Sequence, residues 1–126
     1  MDDKEKSAAG IAVFTLARAR VREVLKLALE EKDIERRLKN KITALRGMCI
    51  KLELMSYTGM PDRLILLPGG YCCFAELKKP GKKERKRQEY VQSLLRSLGF
   101  IVYSSVDTFE KVDIIISDYE RIFKYA

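Results

Sequence analysis

Two apolar runs joined by Pro68-Gly69-Gly70 constrain this chain more than anything else in it. Arg63 to Leu67 and Tyr71 to Leu77 are apolar at both parities, the pattern of a strand pair covered on both faces. Glycine accepts positive φ, so the residues between them predict a tight turn and an antiparallel hairpin. Lys79-Pro80-Gly81-Lys82 ends the second strand, because proline has no N–H to continue a ladder. Beyond it, Glu84 to Leu98 has helical spacing, with Tyr90 or Val91, Leu94, Leu95 and Leu98 expected inward and Gly99 past the end. Phe100 to Val106 then reads as a strand. A strand–helix–strand unit implies a parallel pair with a right-handed crossover. A sheet holding both a hairpin and a crossover is mixed, so the expected class is α/β, with about four strands flanked by helices.

Upstream, Ile34, Leu38, Ile42 and Leu45 form a helical stripe spaced by four, four and three, and Gly47 stands where a C-terminal cap is expected. From Met48 to Met55 the period switches to two, predicting a strand with one wetter face. Tyr57 to Pro61 reads as a turn. Downstream, Asp107-x-x-Glu110 and Ser117-x-x-Glu120 resemble capping boxes, while Ile114-Ile115-Ile116 favours a strand, so the tail stays open between the two. At the other end, Ile11, Phe14, Val21, Val24, Leu25 and Ala28 fall near one helical face, with Arg18, Arg20, Arg22 and Lys26 around the rest. A length of 126 residues suits one core rather than two. The expected organisation is a helical extension over 1–30 and a compact domain over 31–126.

Composition narrows the chemistry. The net charge of +7 favours an anionic partner such as nucleic acid. There is no histidine, which removes Ser-His and Cys-His nucleophile pairs and every imidazole metal site. Three cysteines, with Cys72 and Cys73 adjacent and so on opposite strand faces, make neither a disulfide framework nor a zinc site. Reduced, buried thiols in a cytoplasmic protein are the expectation. The uncharged run Ser7 to Ala17 is too short to cross a bilayer, and the acidic Asp2-Asp3-Lys4-Glu5-Lys6 before it is unlike an export signal.

With acid–base work left to carboxylates, lysine and water, one constellation stands out. Glu76 and Lys78 are two apart on a strand and share a face, near the sheet edge that Pro80 ends. Asp62 begins the partner strand, so the hairpin carries it back toward Glu76. A two- or four-residue loop centred on Gly69-Gly70 would set Asp62 against Leu77, on the wrong face. A three-residue loop, a bulge, or an Asp62 just off the strand is required. Two such carboxylates can hold Mg²⁺ or Mn²⁺ through oxygen, and the lysine adds a fixed positive charge. From Lys78 to Tyr90 there are seven Lys or Arg against two Glu. Lys79, Lys82, Lys83, Arg85, Lys86 and Arg87 then read as a surface that positions phosphates without reading bases.

The stretch from Glu35 to Val106 resembles a VRR-NUC domain, the virus-type replication-repair nuclease module of the PD-(D/E)XK superfamily. The residues that carry the resemblance are Gly59-Met60-Pro61-Asp62-Arg63, the Pro68-Gly69-Gly70 turn, Phe74-Ala75-Glu76-Leu77-Lys78, Pro80-Gly81, Gln88 and Leu98-Gly99-Phe100. The resemblance implies a restriction-endonuclease-like core and Mg²⁺- or Mn²⁺-dependent cleavage of DNA, on branched structures of the Holliday-junction or flap type. It implies Asp62, Glu76 and the Leu77 backbone carbonyl as metal ligands, Lys78 beside the attacking water, and Gln88 hydrogen-bonded near it. A glutamate on the first helix belongs to the same pattern, with Glu35 the better fit and Glu31 the alternative. Stand-alone members imply a homodimer in the cytoplasm of a bacterial or phage-infected cell, with no membrane and no organic cofactor. The alternative is a basic nucleic-acid-binding module, or a subunit of a replication or repair complex, without catalysis.

Overall fold

A computed structural model describes residues 15–21, 29–53 and 56–124. The elements run α1 (Glu31–Ala44), β1 (Met48–Lys51), β2 (Arg63–Leu67), β3 (Tyr71–Leu77), α2 (Lys86–Ser97), β4 (Ile101–Val106) and α3 (Phe109–Lys124). Residues 15–21 are also helical, and exposed. Of the expected N-terminal stripe, Val21 is described; Ile11, Phe14, Val24, Leu25 and Ala28 lie outside the described residues.

The four strands form one sheet in the order β1-β2-β3-β4. The first three are antiparallel neighbours and β3–β4 is parallel, which is the mixed sheet expected from a hairpin followed by a crossover. Alternation along β2 and β3 divides their side chains between two layers. Ile65, Leu67, Cys73, Ala75 and Leu77 face α1 and α3 and join Ile34, Leu38, Ile42, Val112, Ile115 and Tyr119 in the main core. The other face is thinner, with Phe74 edge-on to Phe100 at 5.8 Å between ring centroids and Val91 of α2 buried beside it. A 14-residue helix such as α1 is marginal in water by itself. Three wholly buried aliphatic side chains, each contributing about 1.5–3 kcal/mol, anchor it to the sheet.

Several boundaries differ from the periodicity for identifiable reasons. β1 stops at Lys51, with one further bond from Leu52 N–H to Asp62 O at 2.8 Å. The next residue opposite the strand is Pro61, which has no N–H to give. After α1, Arg46 takes the left-handed position (φ 63°), and Gly47 N–H returns to Ile42 O at 2.9 Å. The crossover helix starts at Lys86 rather than Glu84, because Arg85 takes extended backbone (φ −79°, ψ 153°) as its N-cap and donates its N–H to Gln88 Oε1 at 3.0 Å. Its inward residues are Val91 and Gln92, whereas Tyr90, Leu94 and Leu98 face solvent. The tail is helical: Val112, Ile115, Ile116 and Tyr119 are buried at the 3.6 period, and the β-branched run contributes one exposed residue, Ile114. Thr108, not Asp107, caps it by accepting from Lys111 N–H at 3.1 Å. Of the three cysteines expected to be buried, Cys73 is, and burial pushes its thiol up to about 12, in keeping with a packing role, whereas Cys49 and Cys72 are only half-buried.

The hairpin loop has three residues, Pro68 to Gly70, since Leu67 pairs with Tyr71. Gly69 and Gly70 both have positive φ, 87° and 76°. They differ in surroundings: a Cβ on Gly69 would lie 2.2 Å from the Phe123 ring, whereas one on Gly70 meets nothing within 4 Å. Phe123 is itself packed on Tyr119 at 4.9 Å. Gly70→Ala is therefore expected to cost about 1–2 kcal/mol from backbone strain alone. Gly69→Ala should cost more, and the excess should vanish in a Phe123→Ala background. Urea denaturation of the four variants checks this; equal costs at the two glycines would contradict it.

Candidate functional site

The three-residue loop sets the register Arg63↔Ala75, Leu64↔Phe74 and Leu67↔Tyr71. One step further along the same ladder, Asp62 comes opposite Glu76, on the α2 face of the sheet. The two residues lock each other through their backbones. Asp62 N–H donates to Glu76 Oε2 at 2.9 Å, and Leu77 N–H donates to Asp62 Oδ1 at 3.0 Å. Each carboxylate is thereby aimed by a main-chain donor that cannot rotate away.

Glu76 is 4% exposed, and Asp62 is half-buried. Burial raises the pKa of both carboxyls above the ordinary range. For Glu76 the Asp62 charge adds to the rise, and Lys78 opposes it. For Asp62 the Leu77 N–H and the Arg63 charge pull the other way, while Glu31 adds a further upward push. The cause is physical: two like charges share a place that water only partly reaches.

Lys78 and Gln88 complete the cluster. Lys78 Nζ is 3.3 Å from Glu76 Oε1. Gln88, in the first turn of α2, donates from Nε2 to Glu76 Oε1 at 2.9 Å. Its Oε1 accepts from Lys78 Nζ and from Arg85 N–H, each at 3.0 Å. The amide orientation is forced, since a flip would turn NH₂ against an ammonium and a carbonyl against a carboxylate. Gln88 thus joins the start of α2 to the end of β3.

A β-bulge supports the arrangement from the other side. β3 pairs Ala75 with Tyr103 and Leu77 with Val106, so Ser104 and Ser105 both lie opposite Glu76. Ser105 has φ 48°, and its N–H, turned from the ladder, is taken by Glu84. Ser104 Oγ contacts Gln92, a buried polar residue on the inner side of α2, and accepts from Arg96 at 2.6 Å. Sequence reasoning missed Glu84, Gln92 and this bulge. A glutamine one helical turn after Gln88 was the only available signal, and on a helix whose apolar positions were ambiguous it carried little weight.

Glu35 does not join the cluster. Its carboxylate is 3.1 Å from Arg63 Nη2 and 3.6 Å from Lys39. Arg63 is 3% exposed and reaches the α1 side of the sheet, opposite the face that carries Asp62 and Glu76. No hydrogen bond or ion pair among the described residues links Glu35 to Asp62, Glu76, Lys78 or Gln88. Glu31, one turn earlier, is the helix carboxylate whose charge reaches Asp62. Lys79, Lys82, Lys83, Arg85, Lys86 and Arg87 are all exposed, and none of the six forms an ion pair among the described residues.

The donor set fits a hard divalent cation. It offers carboxylate oxygens at a solvent-reached strand end, and both carboxyls sit where charge is costly without a counter-ion. Among the described residues no group of three or more His, Cys, Asp or Glu gathers as a metal cage. A two-carboxylate set suits Mg²⁺, which retains several waters and takes substrate phosphate oxygens rather than a full protein shell. A groove of about 620 Å³ beside α1, between Leu29, Arg37, Lys41 and Phe109, contains none of these groups. No described helix is long and apolar enough to cross a membrane.

No family model matches the chain. Among curated proteins, "Putative nuclease p44" of Acyrthosiphon pisum secondary endosymbiont phage 1 is 35% identical over 81 residues, spanning 63% of this chain and 87% of the relative. Among solved structures, a VRR-NUC domain superposes with a TM-score of 0.65 at 30% identity, covering 71% of this chain and 96% of that one. The mixed four-stranded sheet flanked by helices is accordingly the restriction-endonuclease-like fold of that domain. With nearly the whole of both relatives spanned at these identities, the chain belongs to the VRR-NUC family.

Proposed function

We propose that the protein is a DNA nuclease that hydrolyses phosphodiester bonds with a divalent cation, Mg²⁺ or Mn²⁺. The observation that carries this reading is the convergence of Asp62, Glu76 and Lys78 on one strand end, ordered by Gln88. Asp62 and Glu76 would hold the cation, with the Leu77 backbone carbonyl as a third oxygen. When bound, such an ion supplies charge neutralisation at the scissile phosphate and a more acidic nucleophile.

The side chains of the chain do the rest. The backbone donors of Asp62 and Leu77 keep both carboxylates in one orientation, so little reorganisation accompanies substrate binding. Lys78 is held by Gln88 and Glu76 with its ammonium beside the carboxylates, where it orients the attacking water and stabilises negative charge on the phosphate. Gln88 acts as a positioning residue for both. Glu35, through Arg63, steadies the start of β2 next to Asp62; Glu31 is the helix carboxylate nearer in charge to the centre. Lys79, Lys82, Lys83, Arg85, Lys86 and Arg87 line the approach and grip backbone phosphates. Contacts of that kind read shape rather than sequence, which fits branched DNA as substrate. A symmetric homodimer would set two such centres on a two-fold junction and permit paired cuts.

Three outcomes test this reading. Asp62→Asn and Glu76→Gln should abolish cleavage of a panel of linear, flap and four-way-junction DNAs. Lys78→Ala should lose about 10²–10³-fold. Wild-type cleavage that survives EDTA would overturn the metal requirement.

Stability should move in the opposite sense to activity. A carboxyl whose folded pKa lies above its unfolded value favours folding while protonated, and that contribution is lost as pH rises through the folded pKa. Asp62→Asn keeps an Oδ1 acceptor for Leu77 N–H and removes the charge. Its Tm should match wild type at acidic pH, where Asp62 is neutral, and exceed it increasingly as pH rises through the shifted range. Mg²⁺ should raise the Tm of wild type but not of this variant, because only a ligand that binds the folded state stabilises it. A cation-induced rise that persists in Asp62→Asn places the ion elsewhere.

Each phosphate contact releases counter-ions, so binding should weaken steeply with salt. Neutralising Lys82, Lys83 and Lys86 together should reduce the log–log salt slope on duplex DNA by about 2.7. Affinity and slope measured by anisotropy decide it. An unchanged slope would make the segment a solvated face.

A further inference from the structure

Beside the carboxylate centre, α2 turns large side chains toward solvent that its packing does not need. Tyr90 is 55% exposed and Leu94 37%, while Tyr57, in the loop before Pro61, is 45% exposed. Arg87 stands between the two tyrosines, its guanidinium 5.2 Å from the Tyr57 ring centroid and 5.5 Å from that of Tyr90. Arg87 Nε also donates to Thr58 O at 3.1 Å. The loop is pressed against the helix at the same point. A Cβ on Gly59 would fall 2.8 Å from Arg87 Cγ and 2.9 Å from Arg87 O, so only glycine permits this approach. The result is a patch of two ring faces and one planar cation, anchored at both ends.

Its position is specific. Arg87 precedes Gln88, which bonds both Glu76 and Lys78. Tyr57 is five residues before Asp62. The patch therefore adjoins, along the chain, both the residues of the centre and the exposed cations Lys82, Lys83, Arg85 and Lys86. Such surroundings favour a polyanion, and exposed tyrosines with an arginine between them are what unpaired bases stack on. Within a duplex the base faces are already covered by their neighbours, so away from its ends such a surface takes only single-stranded nucleotides.

We propose that Tyr57, Arg87 and Tyr90 form a stacking platform for unpaired bases where a strand leaves the duplex beside the catalytic centre. The proposal rests on the nuclease reading for the identity of its ligand and deepens it: the basic segment holds phosphates of any strand, and the platform selects substrates with an unpaired segment. Arg87 then serves two purposes, phosphate-side charge and alignment of the rings.

The test is a binding measurement on the full chain in EDTA, so that no cleavage occurs and the catalytic reading is not at stake. The probes are a short oligothymidylate and a blunt duplex of equal length. Tyr57→Leu with Tyr90→Leu should weaken oligothymidylate binding by about tenfold per ring, with the salt slope unchanged and duplex affinity within twofold of wild type. Tyr57→Phe with Tyr90→Phe should bind as wild type does, because stacking needs the ring and not the hydroxyl. A second readout needs no variant. The chain has six tyrosines and no tryptophan, and Tyr71 and Tyr119 are buried, so oligothymidylate should quench tyrosine emission and blunt duplex should not. If single-strand and duplex affinities fall together, the rings merely brace the basic face and the platform is refuted. It is equally refuted if neither affinity moves, which would leave the patch to a protein partner, or if oligothymidylate binds wild type without quenching.

Discussion

The pairing of Asp62 with Glu76 across β2 and β3 is the constraint on which the rest of this molecule depends. Because side chains alternate along a strand, a slip of one residue would send one carboxylate to the α1 face and the other to the α2 face. The three-residue turn excludes that slip, and the two backbone bonds, Asp62 N–H to Glu76 and Leu77 N–H to Asp62, register the same alignment a second time. Turn geometry and side-chain acceptors point to one register, and the aromatic cluster around Gly69 ties the turn to α3. A hairpin of two apolar strands therefore holds two costly charges in a fixed relation.

The price of that relation is visible in the raised carboxyl pKa values, and the surroundings are built to offset it. Lys78 neutralises from one side and Gln88 donates from another, while the buried Arg63, itself balanced by Glu35, adds a fixed positive charge next to Asp62. A buried ion pair such as Arg63–Glu35 is weak evidence for stability, since desolvation roughly cancels attraction. Its value here is electrostatic: removing Glu35 would leave Arg63 buried without its counter-charge, one residue from the centre. The bulge at Ser104–Ser105 belongs to the same scheme. It releases one N–H to Glu84, which holds the segment leading into α2, and α2 in turn delivers Gln88.

Much of this was legible in the residues, and the misses follow a pattern. Glycines and a proline at the turn, with parity on either side, predict the hairpin; a face shared by Asp62 and Glu76 required a three-residue loop, a bulge, or an Asp62 just off the strand, and the structure has the first of these. The crossover to a parallel strand followed from one helical stretch between two strands. What the residues left open or placed wrongly concerns which face of an element is buried. The residues do not choose between Tyr90 and Val91, and Leu94 and Leu98 look buried with them; α2 covers the sheet with Val91 and Gln92, leaving Tyr90, Leu94 and Leu98 exposed. The tail, open between a capped helix and a β-branched strand, is decided for the helix because Val112, Ile115 and Tyr119 bury one helical face. Hydrophobicity marks residues able to be buried; it does not say which of two apolar faces will find a partner.

What the sequence determined by itself was local: where the chain turns, where a ladder ends for want of an N–H, and which residues share a strand face. Those follow from backbone sterics and a period of two, which no distant contact can alter. Tertiary structure alone decided the long-range partners. Glu35 meets Arg63 rather than Asp62, Gln88 bridges Lys78 and Glu76, and Arg87 joins Tyr57 to Tyr90. A charge or an amide has several possible partners within reach of its side chain, and the one it takes depends on how helices settle on the sheet. That settling is decided by the summed packing of the whole core, and no short stretch of sequence contains it.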